Sequence, residues 1–373
     1  MISKRVIPCV LLLCVGLAAA TLLAEMFLRV SGVWIARHSD HMFALMQYDE
    51  ILGWKMKPNI QTTIDMFDVE NISVRANGVG LWDKEFSTEK SAGKLRIALL
   101  GDSFTWGYGV YENQRFGNIL EDSHTRYECL NFGIPAYGTD QALLMWKHVA
   151  SAYRPDLVIL TIYDNDYMDN LSSVRWGRPK PYFELNTSGT LELRNVPVPK
   201  TNFWDNGILH EIAPPSAALF SAPVTRRSRI ADWLVKHSDV VRAISTVIFP
   251  SGRVATAASS PVVATFLTPV QETQVQLLGA LIQELAGDVA RKNARLLIVL
   301  AGEFSALYAA QTKGFDAVGI PYVDATTGVL AQEMFEAANA IYFSYNQHWT
   351  VAAHRAVANL VHREILQLYT QGS

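Results

Sequence analysis

Three short strand-like runs, each followed at once by a polar or glycine-rich loop, constrain the fold of this chain more than any other feature. The runs cover residues 95–100, 127–132 and 157–163, and each has the length and composition of a buried strand. Helical patterns follow the first two runs, at 114–123 and 140–153. Strands that alternate with helices predict right-handed βαβ units and a parallel sheet. Because ligands bind beyond the carboxyl ends of such strands, the three loops mark a candidate site.

The same pattern resumes after a long interruption. A helix at 272–293 and a strand at 295–301 precede a shorter unit that ends at Asp324, and a further amphipathic helix follows at 350–369. Residues 176–269 break the periodicity. We interpret them as an insertion that caps the site.

The N-terminal stretch has the pattern of a membrane anchor. Lys4 and Arg5 precede an apolar run of 19 residues at 6–24, which as a helix would be about 28 Å long and would cross a bilayer. The positive flank would stay in the cytoplasm and send the rest of the chain outward. A cleaved signal peptide is the competing interpretation, because residues 18–20 are small. Since the apolar run continues beyond them, we favour an uncleaved anchor within residues 1–30.

We therefore predict a three-layer α/β/α fold with a central parallel sheet, an N-terminal transmembrane helix and an inserted cap region. The core comprises residues 91–175 and 270–373, and the cap comprises 176–269. Residues 48–90 form a lead-in segment that packs on the core, and 182–193 within the cap has the pattern of a β-hairpin.

Charge and cysteine content exclude several classes of function. The formal net charge of −3 over 373 residues gives no reason to expect a nucleic-acid partner. Cys9 and Cys14 lie in the N-terminal apolar run, which leaves Cys129 alone in the globular part. A disulfide framework and a cysteine metal site are therefore both excluded there. The sequence also lacks a close His/Asp cluster with ligand spacing, so we expect neither a metal nor another cofactor.

Ser103 follows the first aliphatic run, in Gly101-Asp102-Ser103, where a helix would begin. Gly101 permits a tight turn, and N–H groups at a helix start can hold an oxyanion. A serine hydroxyl is a weak nucleophile until a base accepts its proton. Taken alone, the motif is equally well explained by Asp102 and Ser103 acting as helix-capping residues.

Four separated blocks together resemble the SGNH (GDSL-like) hydrolase superfamily. They are Gly101-Asp102-Ser103, Asn131 to Pro135, Asn165-Asp166 and His348, in the order that the family shows. The resemblance implies that Ser103 is the nucleophile and His348 the general base. It also implies an oxyanion hole formed by the N–H groups of Ser103 and Gly133 and by the Asn165 amide, with Asp102 and Asp166 in support. Flanking residues resemble membrane-anchored bacterial members, which implies a periplasmic domain on the inner membrane.

Two positions depart from the family pattern. Asp164 precedes Asn165, so an extra carboxylate lies close to the proposed oxyanion hole. It would either repel the developing charge or point into solvent. The second departure concerns the aspartate that normally orients the histidine, two or three residues before it. Asn346 and Tyr345 occupy those positions here.

An asparagine carbonyl can orient an imidazole but cannot stabilise its charged form. Three alternatives follow. The site works as a Ser-His dyad assisted by Asn346; a carboxylate from Asp324 or Asp164 substitutes; or the protein has lost much of its hydrolytic rate and retained binding.

The favoured function is an esterase that removes acyl groups, such as acetyl, from an extracytoplasmic glycan. The alternatives are transfer of an acetyl group onto a polysaccharide and a non-catalytic, membrane-tethered binding or assembly factor. Trp176, Tyr182 and Phe203 could form a sugar-stacking surface, although packing of the cap on the core is the favoured explanation for them. The sequence leaves the glycan, the acyl chain and the oligomeric state open.

Overall fold

The computed structural model describes residues 44–66, 69–175, 177–201, 267–303, 305–334, 341–343 and 348–370, with Gly16, Ala20, Thr21, Leu23 and Met42. Backbone contacts divide the chain into two compact units, Met1–Asp40 with Ala218–Val262 and His41–Ala217 with Val263–Ser373. Every strand and helix named below belongs to the second unit. Most of the predicted anchor and most of the predicted cap lie outside the described residues. Within the described part of the chain, no helix is long and apolar enough to span a membrane.

Among the described elements, strands and helices alternate over residues 95–169 and again over 269–334, as the sequence predicts. In chain order they are β1 (Met46–Asp49), β2 (Gly53–Met56), β3 (Gln61–Met66), β4 (Val69–Arg75), β5 (Leu95–Leu100), α1 (Ser103–Trp106), α2 (Phe116–Ser123), β6 (Tyr127–Asn131), α3 (Thr139–His148), β7 (Leu157–Ile162), α4 (Asp166–Asp169), β8 (Val174–Arg175), β9 (Arg178–Pro179), β10 (Tyr182–Leu185), β11 (Leu191–Arg194), α5 (Pro269–Arg291), β12 (Arg295–Gly302), α6 (Ala306–Val318), β13 (Tyr322–Thr326), α7 (Thr327–Met334) and α8 (Val351–Thr370). The hairpin predicted at 182–193 is confirmed as β10 and β11.

Five parallel strands form the central sheet in the order β13-β12-β7-β5-β6. The predicted α/β fold with a central parallel sheet is thus confirmed. After β5 the chain pairs β6 on one side and then crosses back to place β7 on the other. The connections therefore reverse direction between β5 and β7. In open α/β sheets this switch point is where a crevice forms at the carboxyl ends of the strands.

Alternating residues of each strand face two separate hydrophobic cores. In β5, Ala98 and Leu100 face the core that contains α3 and α5, while Ile97 and Leu99 face the core that contains α2 and α8. Cys129 belongs to the second core and is buried. Helices therefore cover both faces of the sheet, and the continuous apolar strands follow from this double burial.

The lead-in segment contributes side chains to the first core and to two loops at the edge of the sheet. Trp54 is fully buried, and its indole N–H donates to the Pro135 carbonyl at 3.1 Å. The Trp106 indole N–H approaches Met56 Sδ at 3.2 Å. Residues 46–66 thereby hold the loops that follow β5 and β6.

Candidate active site

Ser103 lies beyond the carboxyl end of β5, where the chain turns sharply into α1. Gly101 makes this turn with a φ of 143°, which residues with side chains rarely adopt. A Cβ atom at Gly101 would lie 2.5 Å from Thr105 Oγ1 and 2.9 Å from the Thr161 carbonyl oxygen. Only glycine therefore fits between α1 and the neighbouring strand β7.

Asp102 is the N-cap of α1, and its carboxylate accepts a hydrogen bond of 2.9 Å from the Phe104 N–H. Capping is thus done by Asp102, while Ser103 is the first helical residue. Ser103 is half-buried, so solvent can reach its hydroxyl. Its N–H stands at the start of a helical turn, where N–H groups have no intrahelical acceptor.

The structure brings His348 to Ser103 across 245 positions of sequence. His348 Nε2 lies 2.7 Å from Ser103 Oγ, the distance at which a base can accept a hydroxyl proton. The backbone of the histidine is held by short pairings. The Phe343 N–H donates to the His348 carbonyl at 2.9 Å, and Tyr342 forms an antiparallel bridge with Trp349.

Aromatic rings pack against the His348 imidazole. The Phe104 ring stacks on it with centroids 5.0 Å apart, and the Tyr108 ring lies 4.6 Å away at 34°. Tyr163 extends the cluster through Phe104, at 4.2 Å. These contacts limit the rotation of the imidazole and shield one side of the site from water.

Asn165 follows β7 across the switch point and is the N-cap residue of α4. Its Nδ2 donates to Asp169 Oδ2 at 2.6 Å. An amide nitrogen carries two hydrogens, so this bond leaves the second N–H for a ligand. Asn165 is half-buried, while Asp169 is buried.

Gly133 differs from the sequence-based prediction. Its N–H donates to Asn131 Oδ1 at 2.9 Å, so it is not free to bind an oxyanion in this structure. The Asn131 Nδ2 in turn donates to the Thr105 carbonyl at 2.7 Å. A Cβ at Gly133 would lie 2.6 Å from Trp106 N. Glycine is therefore needed here because the loops after β5 and β6 touch, and the asparagine ties them together.

Ala136, in the same loop, has an unusual backbone conformation that the sequence does not predict. It has a φ of 66°, which is unusual for a residue with a side chain, and it is buried. The neighbouring N–H groups of Ile134 and Tyr137 donate to the Gly101 and Ile134 carbonyls, whereas that of Ala136 has no acceptor among the described residues. Such backbone strain clusters at functional sites, but alanine itself gives no sequence signal for it.

Asp102 and Asp166, the two predicted supporting residues, are both buried. Burial raises the pKa of Asp102 to about 7, and the nearby Asp169 carboxylate adds to this effect. Burial also raises the pKa of Asp166 well above its usual value. Asp166 accepts hydrogen bonds from the Thr139 hydroxyl at 2.8 Å and from the Tyr163 N–H at 3.0 Å. It therefore joins the loop after β7 to the start of α3.

The extra carboxylate of Asp164 is half-buried and hydrogen-bonded. It accepts the Glu303 N–H at 3.1 Å, and burial raises its pKa to about 6. Asp324, the other predicted substitute, accepts hydrogen bonds from the Thr326 N–H and hydroxyl at 3.0 and 2.7 Å. Both carboxylates are thus engaged near β12 and β13. Asn346 lies outside the described residues, and its predicted contact with the histidine stays a prediction.

Other predicted features are placed only in part. Tyr182 lies half-buried in β10, while Trp176 and Phe203 lie outside the described residues. In the part of the chain that the structure describes, no group of three or more His, Cys, Asp or Glu side chains is arranged to hold a metal ion.

A nucleophile and a base within hydrogen-bond distance, above the switch point of a parallel sheet, define a candidate acyl-transfer site. A family model for GDSL-like lipases and acylhydrolases matches residues 97–361, well over half of the chain. The chain therefore belongs to the GDSL-like lipase/acylhydrolase family. The resemblance found in the four sequence blocks is confirmed, and so is the prediction of an enzyme that hydrolyses ester bonds.

Several solved structures are similar to the chain at low identity. A lipolytic protein of the G-D-S-L family from Desulfitobacterium hafniense is 10% identical, covering 73% of this chain and 99% of its own, with a TM-score of 0.38. A psychrotrophic esterase from Pseudoalteromonas is 9% identical over 74% and 99%, with a TM-score of 0.39. A variant acetyl-xylooligosaccharide esterase from Geobacillus is 12% identical over 73% and 95%, with a TM-score of 0.37. No curated protein sequence matches the chain.

Proposed function

We propose that this chain is a serine esterase in which Ser103 is the nucleophile and His348 the general base. The observation that carries the proposal is the 2.7 Å distance between Ser103 Oγ and His348 Nε2. A serine hydroxyl becomes an effective nucleophile when a positioned base accepts its proton.

The chemistry follows from this pair. Ser103 Oγ bonds to the acyl carbon while its proton passes to His348 Nε2, and the carbonyl electron pair moves onto oxygen. Collapse of this tetrahedral oxyanion breaks the ester C–O bond, and the departing alkoxide takes the proton from His348. Water then attacks the acyl-serine with the same assistance and releases the acid.

Three N–H groups are candidates to bind the oxyanion: those of Ser103, the Asn165 side chain and Ala136. Ser103 follows β5, Asn165 follows β7 and Ala136 follows β6. In each case the local structure leaves this N–H available to a ligand. The loss of one such donor commonly lowers kcat by about 10²- to 10³-fold.

The decisive test replaces the nucleophile. We expect Ser103→Ala to abolish hydrolysis of a short-chain aryl ester by residues 41–373, measured by release of the phenol. Ser123→Ala, at an exposed position at the end of α2, is the matched control and should keep full activity. Unchanged turnover in Ser103→Ala would rule the proposal out.

For the physiological substrate we propose an O-acyl group, such as acetyl, on an extracytoplasmic glycan, with the protein held at the bacterial inner membrane. The support for the membrane location is the basic pair Lys4 and Arg5 before the apolar run at 6–24. The full-length protein should remain in the membrane fraction after alkaline extraction and be digested by protease added outside spheroplasts. Recovery in the soluble fraction would contradict the anchor. Preferential acylation of an added sugar over hydrolysis would indicate a transferase instead.

A further inference from the structure

The Asn165 side-chain amide is held by a hydrogen bond to the buried carboxylate of Asp169. One Nδ2 hydrogen is donated to Asp169 Oδ2 at 2.6 Å, from one end of α4 to the other. Because the carboxamide is planar, fixing one N–H fixes the direction of the second. The orientation of the N–H that would meet a substrate oxygen therefore depends on where Asp169 stands.

Asp169 is itself held by an arginine. Arg175 Nη1 lies 2.8 Å from the other carboxylate oxygen, Oδ1, and the Asp169 side chain is only 4% exposed against 25% for Arg175. The Asp169 backbone is held as well, because Lys180 Nζ donates to its carbonyl at 3.0 Å. Lys180 also pairs with Asp140, and both side chains are fully buried.

Arg175 has an electrostatic effect on the site as well as a geometric one. Asp169 carries a negative charge close to the place where an oxyanion would form, and Asp102 and Asp166 are nearby. Burial raises the pKa of all three carboxyl groups. The Asp169 charge adds to this rise at Asp102 and Asp166, whereas the Arg175 charge opposes it at Asp169 and Asp102. Arg175 thus offsets a field that would oppose the developing negative charge.

We propose that the Asp169–Arg175 ion pair is a positioning device for Asn165, which aims its free N–H at the oxyanion and neutralises the carboxylate that holds it. This inference rests on the proposed serine esterase function. It also makes β8, which lies directly after α4 and carries Arg175, a part of the site. Neither residue touches the substrate in this arrangement, so both act through Asn165.

The test is a double-mutant cycle on aryl-ester hydrolysis. Asp169→Ala should lower kcat by about 10- to 100-fold with little change in KM, because a misplaced donor loses part of the 10²- to 10³-fold that the donor supplies. In the Asn165→Ala background the same change should lower kcat less than about twofold, since coupled residues are not additive. An equal loss of kcat in both backgrounds would overturn the proposal.

Substitution of Arg175 provides a second, independent test of the proposal. Arg175→Met should lower kcat by about 5- to 50-fold and Arg175→Lys should restore part of it, because a lysine keeps the charge without the planar geometry. Arg194→Met and Asp288→Ala, which disrupt exposed ion pairs on β11 and α5, are controls with no expected effect on kcat. Full activity of Arg175→Met would overturn the proposal even if Asp169→Ala failed to fold. Activity in Ser103→Ala would instead refute the esterase mechanism itself.

Discussion

The two side chains closest to the proposed chemistry are held in opposite ways. His348 is surrounded by the rings of Phe104 and Tyr108. Asn165 is held by Asp169, which pairs with Arg175. Ring packing limits the rotation of His348 but tolerates small shifts. The hydrogen bond and ion pair beside Asn165, which we call the charged side, fix the direction of its amide donor. Substitutions that remove a packed ring should therefore affect His348, and substitutions that remove a charge should affect Asn165.

Removal of the base is the largest expected effect. His348→Ala should lower kcat for an aryl ester by about 10²- to 10⁴-fold, the usual contribution of general acid–base catalysis. His148→Ala, at an exposed position on α3, is the matched control. If His348→Ala kept wild-type kcat in a steady-state assay, another group would have to accept the Ser103 proton.

Removal of one ring should have a smaller effect. When His348 takes the proton, the Tyr108 ring at 4.6 Å stabilises the charged imidazole, and such cation–π contacts are worth about 0.5–2 kcal/mol. Tyr108→Leu should accordingly lower kcat about 2- to 30-fold. Tyr108→Phe keeps the ring and should keep most of the activity, and an equal loss in both variants would show that the hydroxyl matters instead.

The smallest expected effects are on the pH dependence of folding stability, and they differ in sign between the charged side of the site, near Asn165, and the aromatic side, near His348. Burial raises the pKa of Asp102, on the charged side, to about 7. Burial lowers the pKa of His354, which stacks on Phe116 and contacts Trp349 on the aromatic side, to about 3. The folded state therefore binds more protons than the unfolded state at Asp102, and fewer at His354.

The signs of the two contributions are opposite. Relative to Asp102→Asn, the wild type should lose stability as pH rises from about 4 to 7. Relative to His354→Gln, it should lose stability as pH falls from about 6.5 to 3. Urea unfolding of the three proteins across this range measures both trends. A stability difference that stays constant with pH in either pair would show that the group keeps its ordinary pKa on folding.

Much of the scaffold could be predicted because burial on both faces leaves a plain signal. The aliphatic run of β5 ends at Leu100 as expected, and the hairpin of β10 and β11 follows its turn residues. The pairing of Ser103 with His348 came from resemblance, since no local rule relates residues 245 positions apart.

The oxyanion loop could not be predicted in detail for physical reasons. Gly133 looked like a donor, but the side chain of Asn131, two residues earlier, captures its N–H. Ala136 adopts a positive φ that alanine does not favour. That conformation is imposed by the surroundings, including the Trp54 indole bonded to the adjacent Pro135 carbonyl. The contact joins residues 81 positions apart, which a reading of local sequence does not detect.

The separation between nucleophile and base also sets an order of events during synthesis. Chains emerge N-terminal end first, so the turn at Gly101 and the strands β5, β6 and β7 exist long before His348 does. A nascent chain that has reached only β12 carries Ser103 without any base to activate it. In the proposed mechanism, the Ser103 hydroxyl therefore has no activating base during early folding, and it becomes reactive only when the segment that precedes α8 docks beside it.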